Sequence, residues 1–337
     1  MEFALDQDQQ ELAATVRSLL DKHADSASVR EAMESGGLDE DLWSVLAEQV
    51  GVAAMAVPED YDGVGASFFE TAVVLEELGR TVAPLPLLAT AVATEALLAG
   101  GDDAAKQRLL PRLAAGEIGT LVSGGGTGTR PVLEADRAAI VLAILDGQLV
   151  ELDSAGVRVA ESMDQTLRLG TVDLTGLTAD SDGVTVLGDG ARAAGRAELV
   201  LAAGVAALAV GLCQRTLDAT VAYAKEREQF GRPIGSFQAL KHRMADLLVR
   251  TEISRSASWA ASYALAHGED EQETARLVHT AAAYAVESAQ LVTGEAIQLH
   301  GGIAITWEHD AHVWFKRAHA LAQLAGAPHT HRAALEL

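Results

Sequence analysis

Apolar residues recur at helical spacing through the first third of the chain, as in Leu12, Val16, Leu19 and Leu20 and again in Leu42, Trp43, Val45 and Leu46. This spacing predicts a mostly helical segment from Leu5 to about Gly116. Its main interruption is Val57-Pro58-Glu59-Asp60-Tyr61-Asp62-Gly63-Val64-Gly65-Ala66-Ser67, a proline- and glycine-punctuated loop whose Ser67 can cap a helix running through Glu76, Glu77 and Leu78. Between about Leu121 and Gly190 the pattern shortens to small apolar runs divided by turn residues. Ile140 to Leu145, then Asp146-Gly147, then Gln148 to Leu152 reads as a hairpin with a two-residue turn. From Ala191 onward long alanine- and leucine-rich helices return, with a periodicity through Leu199, Val205, Leu208 and Leu212 that the alanines blur, and with a chief break at Phe230-Gly231-Arg232-Pro233-Ile234-Gly235.

Composition narrows the function classes. Of the 337 residues, 49% are hydrophobic and 22% charged, without low-complexity runs or repeats, as expected of a compact chain with two or three subdomains. A formal net charge of -23 leaves no basic footprint for nucleic acid or an anionic membrane surface, so neither is an expected partner. The longest apolar run, Leu199 to Cys213, is too short for a bilayer of about 30 Å and reads as a buried helix. The opening MEFALDQDQQELAATV has the features of mature structure and none of an export signal, and the single cysteine, Cys213, suits a reducing compartment, so a cytoplasmic location is expected. Histidines cluster late, at 300, 309, 312, 319, 329 and 331, but their spacing matches no compact metal-ligand set and no metal is expected.

Three separated stretches carry a resemblance to one family. The first runs from Leu42-Trp43 through Val57-Pro58-Glu59-Asp60-Tyr61-Asp62-Gly63-Val64-Gly65 to Glu76-Glu77-Leu78-Gly79-Arg80. The second is Ala224-Lys225-Glu226-Arg227-Glu228-Gln229-Phe230-Gly231-Arg232-Pro233-Ile234-Gly235, followed by Gln238. The third is Gln298-Leu299-His300-Gly301-Gly302-Ile303-Ala304-Ile305-Thr306-Trp307-Glu308-His309-Asp310. In this order they resemble the acyl-CoA dehydrogenases. The resemblance implies an α+β fold with an N-terminal helical domain over residues 1–118, a reduced middle β-domain over 119–190 and a C-terminal four-helix bundle over 191–337. The second stretch is similar to the family's flavin-binding segment. There a guanidinium can hold a pyrophosphate through paired charge-assisted hydrogen bonds, Gly231 admits close backbone approach and Phe230 can cover the dinucleotide. The arginine matching Arg227 reaches, in the family, the FAD of the neighbouring subunit. The third stretch is similar to a second dinucleotide-contacting segment, and its Trp-Glu-His-Asp continuation resembles acyl-CoA dehydrogenases of bacterial steroid side-chain degradation.

Two departures matter. The reaction requires a carboxylate to take the α-proton while the flavin accepts hydride from the β-carbon. The family places that Glu before a Gly-Thr pair near the C-terminus, where this chain has Ala325-Gly326-Ala327-Pro328, or on the first helix of the bundle near Leu201, where it has Val200-Leu201-Ala202. Glu198 lies about one turn earlier, and an acid at a helix start is also favourable to the helix dipole. The β region lacks the family's Gly-Ser-Asp-type loop and flavin-side tryptophan: Gly124-Gly125-Gly126-Thr127-Gly128-Thr129 reads as a flexible loop, and no tryptophan occurs between Trp43 and Trp259.

These features together imply a flavin-supporting subunit, without a catalytic residue of its own, in an α2β2 acyl-CoA dehydrogenase. A second acyl-CoA dehydrogenase subunit would supply the base and most of the acyl-CoA pocket. Arg227, Gln229, Phe230, Gln238, Gln298, Gly301 and Gly302 are the expected cofactor contacts. Two alternatives stay open: a self-sufficient homotetramer using Glu198, and a structural subunit that touches no cofactor.

Overall fold

The computed structural model describes residues 4–36, 39–122, 131–153 and 156–335. The expected Gly124 to Thr129 loop lies outside them. The chain forms two compact units, one from Met1–Val29, Ala72–Ala83 and Ala202–Leu337, the other from Arg30–Thr71 and Pro84–Leu201.

The second unit opens with the C-terminal part of helix α2 (Ser26–Glu34) and with α3 (Glu40–Val45), the latter prolonged by one wide turn, and then the Pro58 loop. Ser67 caps α4 (Phe68–Thr81) as its sequence position implies. Its hydroxyl accepts from the Phe69 amide at 3.1 Å, and its own amide donates to the Glu70 carboxylate at 2.9 Å, so the cap and the first turn hold each other. Helices α5 (Leu87–Gly100) and α6 (Asp103–Ala114) follow. The β region then contains β1 (Gly119–Val122), β2 (Val132–Leu133), β3 (Ile140–Leu145), β4 (Gln148–Leu152), β5 (Gly156–Val159), β6 (Leu169–Asp173) and β7 (Val184–Asp189). They pair as one sheet in the order β1-β3-β4-β7 and a second in the order β2-β6-β5. The predicted hairpin is β3 and β4, with Leu145 opposite Gln148 and both turn residues in the left-handed region, Asp146 at φ 51° and Gly147 at φ 77°. Strand β1 runs parallel to β3, a pairing that alternation cannot reveal because β1 is buried on both faces. Val122, Ala143, Val150, Leu152 and Val172 form the core of this region.

Glu134 also lies buried here, with φ 55° and its Oε2 without a hydrogen-bond partner among the described residues. Burial, opposed by Arg137, reinforced by Asp136 and opposed again by Arg168, pushes its carboxyl from the ordinary 4.5 up to about 8.

The first unit is helical. It holds α1 (Gln7–His23), the C-terminal part of α4, and α7 (Gly190–Glu226) from Ala202 onward. It continues through α8 (Gln238–His267), α9 (Glu271–His300), α10 (Ala311–Leu324) and α11 (Pro328–Ala334). Helix α7 extends the Leu199 to Cys213 run in both directions to 37 residues. It is thus long and apolar enough to cross a membrane, with mean hydropathy 1.8 over its most apolar window. Yet 78% of that window is buried inside the protein, as in a core helix. Glu198 accordingly lies well inside α7, correcting its expected position at a helix start; its side chain is exposed.

Helix α4 meets α7 backbone to backbone. A Cβ on Gly79 would stand 2.2 Å from the Leu208 carbonyl oxygen, and one on Gly211 would stand 1.8 Å from that of Glu76. Flanking carboxylates secure the crossing. Glu77 accepts from Arg17 Nε at 2.8 Å, and Glu76 accepts from Arg255 Nε at 2.9 Å and from the Trp259 indole at 3.0 Å. The Glu76-Glu77 pair of the first family-like stretch is therefore structural.

Two outcomes are expected. Gly211→Ala should lower the stability of the chain by about 3 kcal/mol, since both clashing groups are backbone and cannot swing away; a urea melt measures this. Glu134, whose folded pKa lies above its unfolded value, contributes stability below the unfolded value of 4.5 that is lost as pH rises toward about 8. Glu134→Gln should flatten that decline, and urea midpoints at several pH values across this window would show the two slopes converging or not.

Candidate flavin-contacting site

The second family-like stretch begins where α7 ends. The Arg227 amide donates to the Tyr223 carbonyl at 2.8 Å, closing the helix, and the Arg227 carbonyl accepts from the Ile234 amide at 2.8 Å. Between these anchors the chain forms a small hairpin of β8 (Glu228–Gln229) and β9 (Arg232–Pro233), with Gln229 opposite Arg232. The break expected at Phe230 to Gly235 is thus an ordered two-residue turn: Phe230 takes φ 54° and Gly231 φ 75°, the left-handed pair that matches the twist of the strands. Arg227 is exposed, and its guanidinium makes no ion pair with any described residue. The Phe230 ring is 92% exposed. Gln229 Nε2 donates to the Glu228 carbonyl at 2.7 Å. Arg232 stacks over the Phe237 ring at 4.1 Å, and Phe237 meets Phe230 edge to face at 6.2 Å, which stiffens the hairpin. Gln238 opens α8 and pairs with His242 at 2.8 Å.

The third stretch terminates α9. Gln298 is exposed on the last turn, and Gly301 ends the helix at φ 67°, ψ -146°, a conformation that requires glycine. A Cβ on Gly301 or Gly302 would meet nothing within 4 Å, so their backbone faces open space that a ligand could approach.

Tyr223 joins the two stretches. Its hydroxyl donates to the His300 carbonyl at 3.2 Å, and its ring stacks on the His300 imidazole at a centroid distance of 4.5 Å. The His300 Nδ1–H donates to the Ala296 carbonyl at 2.7 Å, and the ring also contacts His309 at 4.7 Å. Burial holds the imidazole below its ordinary pKa, against the opposing pull of the Ala296 carbonyl, and favours the neutral ring. Tyr223, one turn before Arg227, and His300, next to Gly301, thus tie the hairpin base to the glycine turn. Neither was among the expected contacts. The available signal was an aromatic residue at each of the two helix ends.

Three further late histidines have other partners: His312 stacks on Trp307, His319 meets Phe315 and His331 faces His279. Among the described residues no three His, Cys, Asp or Glu side chains converge to hold a metal ion.

Neither expected base position carries an acid. Ala325 caps the end of α10, and Val200 and Ala202 are buried apolar residues flanking a half-buried Leu201. The free guanidinium, the open glycine backbone and the exposed aromatic fit a phosphate-bearing, ring-containing group of the FAD type.

Comparison with known proteins agrees with this chemistry. The model "Acyl-CoA dehydrogenase, N-terminal domain" matches residues 6–117, and "Acyl-CoA dehydrogenase, C-terminal domain" matches residues 188–336. Acyl-CoA dehydrogenase IpdE2 of Mycolicibacterium smegmatis is 44% identical over 94% of this chain and 94% of its own. Among solved structures, the ChsE4-ChsE5 complex from Mycobacterium tuberculosis superposes with TM-score 0.89 at 25% identity, covering 100% of this chain and 98% of that one. A variant of the Tcur3481-Tcur3483 steroid ACAD superposes with TM-score 0.86 at 26% identity, covering 98% and 97%. The chain belongs to the acyl-CoA dehydrogenase family of FAD-dependent oxidoreductases.

Proposed function

We propose that this chain is the flavin-supporting, base-lacking subunit of an α2β2 acyl-CoA dehydrogenase acting on a steroid side-chain CoA thioester. One observation carries the reading: a pre-formed, exposed arginine hairpin stands in a chain that has Ala325 and Leu201 where the family keeps its acid. The partner is a second acyl-CoA dehydrogenase subunit. This choice is supported by the structural likeness to the ChsE4-ChsE5 complex, and the steroid class by the likeness to the Tcur3481-Tcur3483 steroid ACAD.

In this reading Arg227 clamps the pyrophosphate of the partner's FAD, the Gly301 and Gly302 backbone approaches the same dinucleotide, and Phe230 covers it. Gln229, Gln238 and Gln298 supply neutral hydrogen bonds that orient it without altering its charge. When bound, FAD accepts the hydride that leaves the substrate β-carbon. The chain's own residues bind and orient and move no proton. Tyr223 and His300 position the two contact segments relative to each other. His300 suits this role because its buried neutral ring adds no charge beside the dinucleotide.

The test is co-expression with the acyl-CoA dehydrogenase genes adjoining this one. Flavin should appear only when both chains are present, and full activity with bound FAD in the isolated chain would sink the reading. In the complex, Arg227→Ala should weaken flavin retention by about tenfold or more, since a bidentate charge-assisted pair contributes about 1.5–3 kcal/mol. Unchanged flavin content would favour a purely structural subunit. Glu198→Gln should leave dehydrogenation within about twofold of the wild type, because a solvent-exposed acid is poorly placed to abstract a substrate proton; loss of activity would instead restore the self-sufficient enzyme.

A further inference from the structure

The turn between β2 and β3 carries two buried polar atoms that no described residue satisfies, Oε2 of Glu134 and Nη1 of Arg137. Both side chains rise from one turn, closed by the Arg137 and Ala138 amides, which donate to the Glu134 carbonyl at 3.0 and 2.9 Å. Glu134 is 4% exposed and stands at φ 55°, in the left-handed region that a long side chain rarely adopts. Arg137 sends its other terminal nitrogen, Nη2, to the Gly36 carbonyl at 2.6 Å, tying this turn to the segment just after α2.

Two orphaned groups of opposite kind on one turn are an ion pair that the turn does not close. This arrangement suits a neutral Glu134, because a buried carboxylate without a donor is far costlier than a buried acid. The charges that act on Glu134 are Arg137 and Asp136 on its own turn and Arg168 just before β6. Arg168 is committed to Asp136, with Nε and Nη2 donating to Oδ2 at 3.0 and 2.7 Å. The donor left for an ionised Glu134 is therefore Nη1 of Arg137. Burial pushes the Glu134 carboxyl up to about 8, so the neutral acid prevails at neutral pH.

We propose that this turn is a proton-operated lock with two settings. With Glu134 protonated, Arg137 holds the Gly36 carbonyl and fastens the segment after α2 to the β region. With Glu134 ionised, its proton passes to solvent, the carboxylate takes the Arg137 guanidinium, and the bond to Gly36 is given up. Strand β2, two residues long and continuous with the turn, is the element the second setting loosens, since the Glu134 amide's bond to the Arg168 carbonyl at 2.9 Å continues its pairing with β6. The first setting is fully favoured below the ordinary carboxylate value of 4.5 and loses its advantage as pH rises toward about 8. No flavin contact or partner subunit enters this device, so it stands or falls apart from the proposed function.

Amide exchange on the full-length chain between about pH 5 and 9, corrected for the intrinsic rate, tests the lock. In the wild type the turn at 134–138 should lose protection as pH rises, by up to about tenfold per pH unit, while the β3–β4 hairpin keeps its own. Glu134→Gln preserves the neutral shape and should hold the turn's protection level across the window. Infrared difference spectra at about pH 6 should contain a protonated carboxylic acid band that Glu134→Gln lacks. The Nε–H signal of Arg137, identified in labelled protein by its loss in Arg137→Met, should shift as that band disappears. Protection that is flat in the wild type, or that falls equally in Glu134→Gln, would overturn the proposal. So would an Arg137 signal that stays fixed while the acid band titrates, since Glu134 would then ionise without changing partners. The wild-type series carries the test by itself if the Gln variant folds poorly.

Discussion

The backbone contact between α4 and α7 is the constraint on which the helical unit depends. At Gly79 and Gly211 the two helices approach until carbonyl oxygens occupy the space of a side chain, so neither residue can be replaced without moving a helix axis. Beside this contact α4 carries Glu76 and Glu77, which tie it to other helices. These carboxylates take donors from Arg17 on α1 and from Arg255 and Trp259, one turn apart on α8. Arg255 also reaches Gln214 on α7 at 2.8 Å, so the network fastens α8 to both partners of the crossing. Buried charge is tolerable here because every ion has a partner with directed hydrogen bonds.

From that fixed crossing α7 continues to Glu226, and its rigidity is passed to the hairpin through backbone hydrogen bonds on both sides of Arg227. The glycine turn is secured in turn by the Tyr223–His300 contact. The candidate site is therefore assembled from helix ends and main-chain geometry, with one cation and one exposed ring. Such a site can hold and orient a ligand, since those tasks need shape and fixed donors. Proton abstraction needs a tuned acid or base within reach of the reacting carbon, and the two family positions for it here are Ala325 and Leu201. Binding and bond-breaking have separate residue requirements, so the proposed division of the two between unlike subunits is chemically coherent.

Much of this was legible in the chain. The Asp146-Gly147 hairpin and the Ser67 cap follow from local chemistry: a two-residue turn in left-handed geometry and a hydroxyl facing free helix amides. The Ala224 to Gly235 stretch stands out by its resemblance to the family's flavin-binding segment, and its turn at Phe230-Gly231 is an ordered hairpin. What local patterning missed depends on distant partners. The parallel pairing of β1 with β3 has no period-2 signature, since β1 is buried on both sides. The role of Glu76 and Glu77 as anchors depends on Arg17, Arg255 and Trp259, which sequence spacing cannot bring together. Tyr223 and His300 were hidden for the same reason: their contact spans 77 positions. The position of Glu198 was misjudged because a helix of alanine and glycine gives no clear start, and α7 begins at Gly190.

Phe230 separates the demands of fold from those of function. A left-handed φ of 54° is unfavourable for a bulky residue, and asparagine or glycine would form the same turn at lower cost. Solvent exposure of 92% leaves the ring only an edge contact with Phe237, too little burial to offset that strain. A residue that is strained and exposed at once does nothing for the isolated chain that a smaller one would not do better. The proposed flavin contact would give this ring the burial it lacks among the described residues, which is how a strained, exposed aromatic fits the proposed role.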